Sequence, residues 1–375
     1  MAILGLCLAA AGLPVAQAQF SVESGQPRYS YAFKLPPGVG GLTPSLGVVY
    51  TGNRAGEGVG HGWGLIGSSS IARCAPTHAI DGEDGTTRFN GDDKLCLDGR
   101  RLIQVDASGV TLPFPQKGDA NGLGAGAVRE FRLESDPHTR VRAYGSAQTE
   151  IKRGPQYFQV QTGDGRIRTY GQHPAIASSA KTTWSNGPVL GWALSRVQDA
   201  AGNTADYSYE QNWVWLSPAM SADAVEWVLS TIEYGGNVTT GTPHRAKVVL
   251  KYSDDPHAGD AYVGGTRRAY KRNLSAVEAS VTGSPALRIT RLGYLSRTFT
   301  QRSLLNSIKE CTRATATAAE KCQPATTLSY TNNSSVNYVV DTSWTKDAAG
   351  AANRLANAVF LQENTKYGGA LQGDF

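Results

Sequence analysis

The sequence predicts an all-β protein, made of antiparallel sheets and hairpins with few helices, and three observations support this. Short runs in which apolar and polar residues alternate recur about every 10–15 residues, separated by turn residues. Asp-Gly pairs precede several of these runs. The chain is rich in glycine (43) and tyrosine (16) and only 18% charged, as expected of pleated, half-buried surfaces. Its 375 residues suffice for one large or two medium domains.

The charge and composition exclude several classes of protein. Lysine and arginine (36) exceed aspartate and glutamate (31), which gives a net charge of +5 and a pI of about 8.9. Such a weak field gives no support to nucleic-acid binding. A hydrophobic content of 40% excludes a wholly disordered chain, and the low charge argues against a coiled coil. Beyond the N-terminus, no apolar run is long enough for a stable membrane span.

The N-terminus predicts export. Residues 1–18 form an uncharged, largely apolar stretch that ends in Ala16-Gln17-Ala18, a small-x-small pattern that signal peptidases accept. The apolar core, residues 2–13, is too short to span a bilayer as a stable anchor. The basic residue that usually precedes such a core is missing. We expect residues 1–18 to be a signal peptide and the mature chain to start near Gln19, exported through the periplasm and secreted.

The first predicted strands are residues 29–35 and 46–50, on either side of a proline- and glycine-rich loop. A second glycine-rich loop, residues 52–67, carries Trp63. No βαβ pattern surrounds this loop, which argues against a phosphate-binding turn. We expect a crossover between strands in which Trp63 packs as an anchor.

Asp-Gly pairs predict three hairpins, because both residues readily adopt the positive φ angles of a two-residue turn. The pairs are Asp84-Gly85, Asp98-Gly99 and Asp164-Gly165. Glycine, alanine, proline and asparagine dominate residues 107–127, and residues 173–188 are similar. We expect these two segments to be surface loops.

The alternating pattern is clearest in the second half of the chain. Residues 192–199 and 204–209 predict two strands joined by a Gly202-Asn203 turn. Later strands are predicted at residues 247–252, 287–294 and 327–330. Helical periodicity is confined to residues 222–232 and, more weakly, to residues 348–358.

Four cysteines remain after the predicted signal peptide, which carries Cys7. They form two local pairs, Cys74 with Cys96 and Cys311 with Cys322. In an exported protein an even number of cysteines predicts disulfides, each contributing about 2–4 kcal/mol to stability in the chain-entropy model. No Cys-x-x-Cys motif or histidine cluster indicates a metal site.

One short motif hints at an enzyme. Gln148 and Glu150 match the Gln-x-Glu pair of arginine-modifying ADP-ribosyltransferases, in which the glutamate holds the nicotinamide ribose. A match of this length is common by chance, and the other strand elements of that enzyme are not recognisable nearby. We expect polar residues at a strand edge and no catalytic residue. No Gly-x-Ser-x-Gly elbow or Walker lysine loop occurs.

Carboxylates and histidines are the candidate metal ligands of the chain. Five carboxylates gather around one predicted hairpin: Asp81, Glu83, Asp84, Asp92 and Asp93. Ca²⁺ needs about six to eight oxygen ligands, but Gly85 interrupts the acidic pattern of an EF-hand loop, so we expect solvated turn carboxylates. The histidines are scattered and never spaced as a metal pair: His61, His78, His138, His173, His244 and His257. We predict no metal or cofactor here.

Two further clusters have alternative interpretations. A basic group, Arg267-Arg268 with Lys271-Arg272, lies around Tyr270, and we expect a solvated strand face rather than a nucleic-acid site. Trp213, Trp215 and Trp227 are close in sequence. We expect them in a packed aromatic core, and the alternative is a contact surface for carbohydrate or protein.

Read in order, a series of short motifs resembles the N-terminal module of SpvB-type proteins and of the TcdB-like B components of insecticidal Tc toxins. These proteins belong to the wider Rhs/YD-repeat group. The resemblance covers about residues 26–330. The motifs are Tyr29-Ser-Tyr-Ala-Phe, Leu35-Pro-Pro-Gly38, Gly41-Leu-Thr-Pro44-Ser-Leu46, Gly60-His-Gly-Trp63, Ile71-Ala-Arg-Cys74, Cys96-Leu-Asp-Gly99, Trp192-Ala-Leu-Ser-Arg196, Asp199-Ala-Ala-Gly-Asn203 and Tyr207-Ser-Tyr209.

The resemblance implies a non-catalytic structural module, residues 19–330, at the start of a large β shell in a secreted bacterial virulence toxin. In that family FG-GAP-like propeller repeats follow, and a toxic effector lies far downstream. Residues 331–375 would then be a linker and the start of a truncated propeller region, in which Gly373-Asp374-Phe375 leads into a calcium-type loop that is absent here. The implied partners are downstream regions of the same polypeptide or other toxin-complex subunits. The alternative is a secreted adhesion or carbohydrate- or protein-binding β module.

Overall fold

A computed structural model describes residues 18–330, apart from residues 24–25, 53–57, 90–92, 106–110, 112–127, 146–153, 178–179, 184–188, 215–223, 264–265, 286, 298–301 and 316. The chain divides into a compact unit, Met1–Thr327, and a second unit, Leu328–Phe375. The fold described below is that of the first unit. The loop at residues 331–341, the weak helix at residues 348–358 and most of the loop at residues 107–127 lie outside the described residues.

The N-terminal sheet consists of four antiparallel strands in sequence order. They are β1 (Ala18–Glu23), β2 (Gln26–Ala32), β3 (Gly47–Tyr50) and β4 (Trp63–Ile66). The alternation of the sequence places Tyr31, Val48 and Trp63 inside. Trp63 is only 2% exposed and its ring contacts the rings of Tyr29 and Tyr50, at centroid distances of 6.0 and 5.4 Å.

Eight further strands form a closed ring through consecutive antiparallel pairings. They are β5 (Ser70–Cys74), β6 (Lys94–Leu97), β7 (Arg100–Val105), β8 (Val128–Leu133), β9 (Asp136–Tyr144), β10 (Tyr157–Gln161), β11 (Ile167–Gly171) and β13 (Val189–Gln198). A short β12 (Lys181–Thr183) pairs with the first half of β13. We call the eight strands the ring.

The second half of β13 is also the first strand of a sheet of long hairpins, in which each strand pairs with the next. Its strands are β14 (Asn203–Val214), β15 (Ala224–Asn237), β16 (Ala246–Val263), β17 (Thr266–Val281), β18 (Leu287–Arg297) and β19 (Arg302–Arg313). Two short strands, β20 (Lys321–Cys322) and β21 (Thr326–Thr327), pair with β19. We call β13–β21 the hairpin sheet.

The all-β prediction is confirmed. Within the described residues, helical structure is limited to the four-residue α1 (His78–Asp81) and a three-residue 3₁₀ turn at Val39–Gly41. None of the described helices is long and apolar enough to cross a membrane. The loop predicted at residues 173–188 is interrupted by β12, and it buries Ile176 and Ala180.

The helix predicted at residues 222–232 is wrong, because the described part of this segment, residues 224–232, belongs to β15. Val225, Leu229 and Ile232 follow a helical spacing, but β15 pairs with β14 over its whole length and with β16 at its end. Cross-strand pairing of β-branched and aromatic residues outweighs the weak helical periodicity.

The three Asp-Gly pairs differ in their structures. Asp98 (φ 49°) and Gly99 (φ 78°) join β6 directly to β7 as a two-residue turn. Asp164-Gly165 lies within a five-residue loop between β10 and β11. The hairpin predicted at Asp84-Gly85 is wrong: the pair follows α1 in the connection from β5 to β6. The Asp84 carboxylate accepts a hydrogen bond from the backbone N–H of His78 (2.9 Å), so it is held against α1 rather than in a turn.

Candidate functional site

The first candidate site is the interface between the N-terminal sheet and the hairpin sheet. The glycine-rich loop before β4 lies directly on β17 and β19. His61 N–H donates to the Ser303 carbonyl (2.8 Å), and Leu274 N–H donates to the Gly58 carbonyl (2.7 Å). The Gly60 N–H donates to Asn273 Oδ1 (3.1 Å). These contacts make the described part of the loop a packed connection between two sheets.

Glycine is required at position 60 for two reasons. Its φ angle is +85°, in the left-handed region that disfavours side chains. A Cβ atom there would also lie 3.0 Å from the Ser303 carbonyl oxygen and 3.1 Å from the Tyr294 ring. The loop therefore approaches the hairpin sheet as closely as a backbone can.

Glu310 on β19 forms a side-chain clasp with the N-terminal sheet. Its carboxylate accepts from the Tyr31 hydroxyl (2.7 Å) and from Lys34 Nζ (2.8 Å). Burial acts to raise the pKa of Glu310, but the hydrogen bonds from Lys34 and Tyr31 outweigh it and hold that pKa below its usual value. Nearby, the Tyr234 hydroxyl donates to the Pro36 carbonyl (2.7 Å). The clasp joins residues far apart in sequence.

The hairpin sheet repeats one arrangement three times, which the sequence reasoning missed. Three of its strands carry Leu-Ser-x-Val or Leu-Ser-x-Ile, starting at Leu194, Leu229 and Leu274. The strand after each carries a tyrosine whose hydroxyl donates to that leucine's carbonyl: Tyr209 (2.8 Å), Tyr252 (2.7 Å) and Tyr294 (2.8 Å). Each tyrosine directly follows a register shift in its pairing with the next strand.

The register within this repeat is constant. The residue two after each leucine pairs with the residue three before each tyrosine: Arg196 with Asp206, Thr231 with Val249, and Ala276 with Arg291. The same spacing recurs a fourth time. Ser307, two residues after Leu305, pairs with Thr327, three residues before Tyr330. The signal was therefore present in the sequence as Leu-(Ser/Asn)-x-(Val/Ile) followed by (Tyr/Leu)-x-Tyr.

A buried carboxylate supports the hairpin sheet where its pairing is interrupted. The register of β16 against β17 shifts between Asp254 and Gly259. On the other side of β17, Glu226 accepts from the backbone N–H groups of Lys271 (2.8 Å) and Arg272 (2.9 Å) and from Arg272 Nε (2.7 Å). Glu226 is only 3% exposed, and this charge is compensated by that ion pair.

Both cysteine pairs are joined as disulfides. Cys74–Cys96 links β5 to β6, and Cys311–Cys322 links β19 to β20. Within the described residues, one group of side chains is close enough to hold a metal ion: Cys311, Glu320 and Cys322. Its two sulfurs are bonded to each other, and Glu320 pairs with Arg291 and Arg313. This group is therefore a disulfide beside an ion-pair cluster.

Among the candidate Ca²⁺ ligands, Asp81, Glu83 and Asp93 contact cations, and the expectation of solvated turn carboxylates is wrong for Asp81 and Asp93, whose side chains are buried. Asp81 contacts Arg101 (2.5 Å) and Lys94 (3.6 Å). Asp93 pairs with Arg73 (3.0 Å), and both side chains are buried. Glu83 lies 4.0 Å from Arg88, Asp84 holds α1, and Asp92 is outside the described residues. The described carboxylates thus brace the connection between β5 and β6.

His244 is in a pair that resembles part of a catalytic triad but has both ring nitrogens engaged. The Gly236 N–H donates to Nδ1 (3.2 Å), so Nε2 carries the hydrogen and donates to Asp206 (3.2 Å). Arg196 holds the same carboxylate with two bonds of 2.6 Å. Burial lowers the pKa of His61 and of His173, with neighbouring arginines adding to the effect. His61 Nε2 lies 3.0 Å from Arg302 Nη1, and His173 Nδ1 accepts from the Ala175 N–H (3.1 Å), so each of the three histidines has a fixed partner on at least one ring nitrogen.

The remaining predicted site residues are only partly described. Gln148 and Glu150 lie outside the described residues. Trp227 is half-buried and stacks on Tyr209 at a centroid distance of 4.9 Å. Nothing is described of Trp215 or of the side chains of Trp213, Arg267 and Arg268. Of the basic cluster, Arg272 pairs with Glu226 and Glu210, and its guanidinium lies over the Tyr252 ring.

The fold and these contacts define a β module of several sheets. Its described polar groups join neighbouring strands to each other and the N-terminal sheet to the hairpin sheet. The family model of SpvB, the Salmonella virulence plasmid 65kDa B protein, matches residues 21–237, more than half of the chain. The chain therefore belongs to the SpvB family. No curated protein matches it.

Solved structures of toxins share the fold. The crystal structure of TcdB2-TccC3 aligns with a TM-score of 0.61 and 15% identity over 88% of this chain and 18% of that chain. The Photorhabdus luminescens Tc holotoxin pore gives 0.63 and 16% over 88% and 17%. The N-terminal domain of effector protein SpvB from Salmonella typhimurium strain LT2 gives 0.50 and 16% over 80% of this chain and 98% of that domain. This chain thus spans less than a fifth of the Tc chains.

Proposed function

We propose that this chain is a non-catalytic structural module of a secreted toxin of the SpvB and Tc type. In this proposal it helps to enclose or deliver an effector that another part of the toxin carries. Its partners are downstream regions of the same polypeptide or other toxin-complex subunits. Membership of the SpvB family and the fold shared with the Tc structures support this function.

The repeated hairpin is the observation that carries the proposal. Each tyrosine hydroxyl bonds to the strand before it, and each repeat pairs with the next in the same register. A sheet built in this way can be extended by one equivalent unit at a time, which suits a protein wall. The N-terminal sheet is fixed to β17 and β19 of this sheet through the Glu310 clasp and the Gly58 and Gly60 contacts.

The chemistry of the described residues also favours a non-catalytic role. The most perturbed carboxylates are paired: arginines surround Glu130, where burial opposes but their hydrogen bonds lower its pKa to about 2. Glu320 has a pKa of about 2, chiefly because of hydrogen bonding from Arg291. Groups held permanently ionised by fixed partners stabilise structure rather than exchange protons at neutral pH.

The proposal includes a division of the chain. Residues 1–18 are a signal peptide, residues 19–330 the β module, and residues 331–375 a linker with the start of a propeller region, whose further repeats would hold any Ca²⁺. N-terminal sequencing of the secreted product is expected to begin near Gln19. A product from the culture medium that still carries residues 1–18 would contradict the signal peptide.

The size of the native product tests the delivery function. An antibody raised against residues 21–330 is used to blot the producing cells and the medium. We expect a band several times larger than the calculated 39.8 kDa, since the module is proposed as one piece of a long toxin. A single band near the calculated mass would overturn the delivery function and favour the alternative, a stand-alone adhesion or glycan-binding module.

A further inference from the structure

A cavity of about 410 Å³ lies where loops of the N-terminal sheet meet one end of the ring and the start of the hairpin sheet. Its wall includes the connection from residue 42 to residue 45, the Asp98 turn, and parts of β10, β11, β13 and β14. The volume falls within the range of small-molecule pockets, about 300–1,000 Å³. The scaffold function described above does not use this cavity.

The floor of the cavity is apolar and well ordered by packing. Leu97, Val160, Leu194 and Val197 line it, and each is at most 8% exposed. Fully buried Tyr170 closes one side. An apolar body of a ligand would displace water from this floor, which favours binding at about 25 cal/mol per Å² of apolar surface.

Three arginines, none of them buried, also line the cavity, and we call them its rim: Arg100, Arg166 and Arg168. Arg168 donates to Thr162 Oγ1 (2.6 Å) and lies 3.5 Å from Asp164, and Arg166 lies 3.8 Å from the same carboxylate. The Arg100 residue is exposed, and its guanidinium has no ion pair or hydrogen bond to the described residues. It is therefore available to a ligand.

The second carboxylate at the rim, Asp98, is already committed. It accepts from Ser69 Oγ (2.8 Å) and from the Ser70 N–H (2.8 Å). Since the Ser69 hydroxyl donates to Asp98, the Tyr170 hydroxyl donates to Ser69 Oγ (2.9 Å). Three guanidinium groups against two carboxylates leave one excess positive charge, which matches a monoanion better than a dianion.

We propose that this cavity binds a carboxylate attached to an apolar group. The apolar body lies on the Leu97, Val160 and Val197 floor, and the carboxylate accepts hydrogen bonds from Arg100 and Arg166 in a planar, charge-assisted contact. Two sources supply this chemistry: a free small carboxylic acid, or the C-terminal carboxylate of a peptide that ends in an apolar residue.

Calorimetric titration of the full chain tests the proposal with matched pairs of probes. Phenylacetate is compared with phenylacetamide, and a hexapeptide ending in phenylalanine is compared with its C-terminal amide. We expect at least one acid to bind saturably and at least tenfold more tightly than its amide, because the amide lacks the charge. If only the peptide acid binds, the natural source is a chain terminus; if phenylacetate also binds, a free acid suffices.

The variants Arg100→Gln and Arg166→Gln test whether the arginines of the rim bind the carboxylate. Each is expected to weaken binding of the acid about tenfold, the equivalent of one charge-assisted hydrogen bond, with an unchanged unfolding midpoint. Arg288→Gln, an exposed change on β18 away from the cavity, is expected to leave binding unchanged. Equal binding of acid and amide, no saturable binding of either acid, or full affinity in Arg100→Gln would each overturn the site. None of these results depends on the size of the native product.

Discussion

The ring and the hairpin sheet share β13 but protect their strand edges in different ways. In the ring, each strand has two hydrogen-bonded neighbours because β13 pairs with both β11 and β5. The strand pairings of the described residues do not close the hairpin sheet on itself, and β20 and β21 pair with only part of the outer edge of β19. An open edge is a site for further pairing, whereas a closed ring has none. Closure thus makes a finished body, and repetition makes a sheet that can be extended.

The ring and the hairpin sheet also differ in the contacts that stabilise their interiors. The ring buries an ion pair, Arg73–Asp93, beside Trp192, whose ring lies 5.8 Å from the Arg73 guanidinium. The hairpin sheet uses a repeated tyrosine-to-carbonyl hydrogen bond and places pairs such as Lys247–Glu233 on its surface. The hairpin sheet also contains a buried pair, Glu226–Arg272, so what distinguishes it is the stabilising contact that it repeats at three equivalent positions.

The largest expected effect comes from a comparison of two tryptophans. Trp192 lies in the half of β13 that pairs with β5 of the ring, and Trp227 lies on β15 of the hairpin sheet. Trp192 is fully buried, its Nε1 donates to the Pro155 carbonyl (2.7 Å), and its ring packs edge-on against Phe158. Trp192→Ala is expected to lower the free energy of unfolding by about 3–5 kcal/mol. Trp227→Ala, at a half-buried ring on the hairpin sheet, is expected to cost only about 1–2 kcal/mol. Urea unfolding measures both, and equal losses would contradict the distinction.

The second prediction compares ion pairs. Asp93→Asn leaves the Arg73 charge buried without its carboxylate, which costs about 3–5 kcal/mol when a buried pair is broken. Glu233→Gln removes an exposed cross-strand partner of Lys247 and is expected to cost at most about 1 kcal/mol. A loss at Glu233 as large as that at Asp93 would show that the surface pair is not screened by solvent.

The third prediction concerns the repeat itself. Tyr209→Phe, Tyr252→Phe and Tyr294→Phe each remove a hydroxyl that satisfies a leucine carbonyl, at an expected cost of about 1–3 kcal/mol. Because the three positions are equivalent, the losses are expected to be similar and to add in the double variants. Thermal and urea unfolding of the three single and three double variants check this. One dominant tyrosine would mean that the repeat is not a set of equal units.

The smallest effect is a pH dependence of the clasp between the N-terminal sheet and the hairpin sheet. The pKa of Glu310 is lower in the folded protein than in the unfolded chain, so the unfolded chain binds more protons and the clasp stabilises more as pH rises. Its contribution is complete above the usual glutamate pKa of about 4.3 and is lost as pH falls through the lower, folded value.

Glu310→Gln tests this dependence. At pH 7 the variant is expected to be less stable than the natural protein, and the difference is expected to shrink at pH 3, because Glu310 is then largely protonated in the unfolded chain, whose glutamate pKa is about 4.3. Urea unfolding at the two pH values gives the comparison. A difference that is the same at pH 3 and pH 7 would contradict the role of the charged form of Glu310.

Local patterns predicted local structure well. Alternation located β3, β13 and β14, and an Asp-Gly pair gave the two-residue turn at Asp98, because both signals act within a few residues. The same dipeptide gave a wrong prediction at Asp84, because its carboxylate accepts a hydrogen bond from the backbone N–H of His78 in α1. A helical spacing also misled at β15, where two neighbouring strands decide the conformation.

The candidate site was only partly accessible to sequence reasoning. The motifs around Gly60 and Trp63 marked the loop, but not that it lies on β17 and β19. The repeat of Leu194, Leu229 and Leu274 was present in the sequence, yet unequal hairpin lengths hide it until pairing aligns the strands. Nothing local marks Glu310, since its partners Tyr31 and Lys34 are more than 270 residues away.

The sequence by itself determined the all-β class, the turn at Asp98-Gly99 and the motifs that mark the family, because these depend on side-chain alternation and short-range backbone preference. Only the tertiary structure decided that β13 belongs to two sheets, that Glu310 clasps the N-terminal sheet, and that a cavity with an arginine rim forms where the three regions meet. Those features depend on pairings between distant segments, and the free energy of such pairings belongs to no single stretch of sequence.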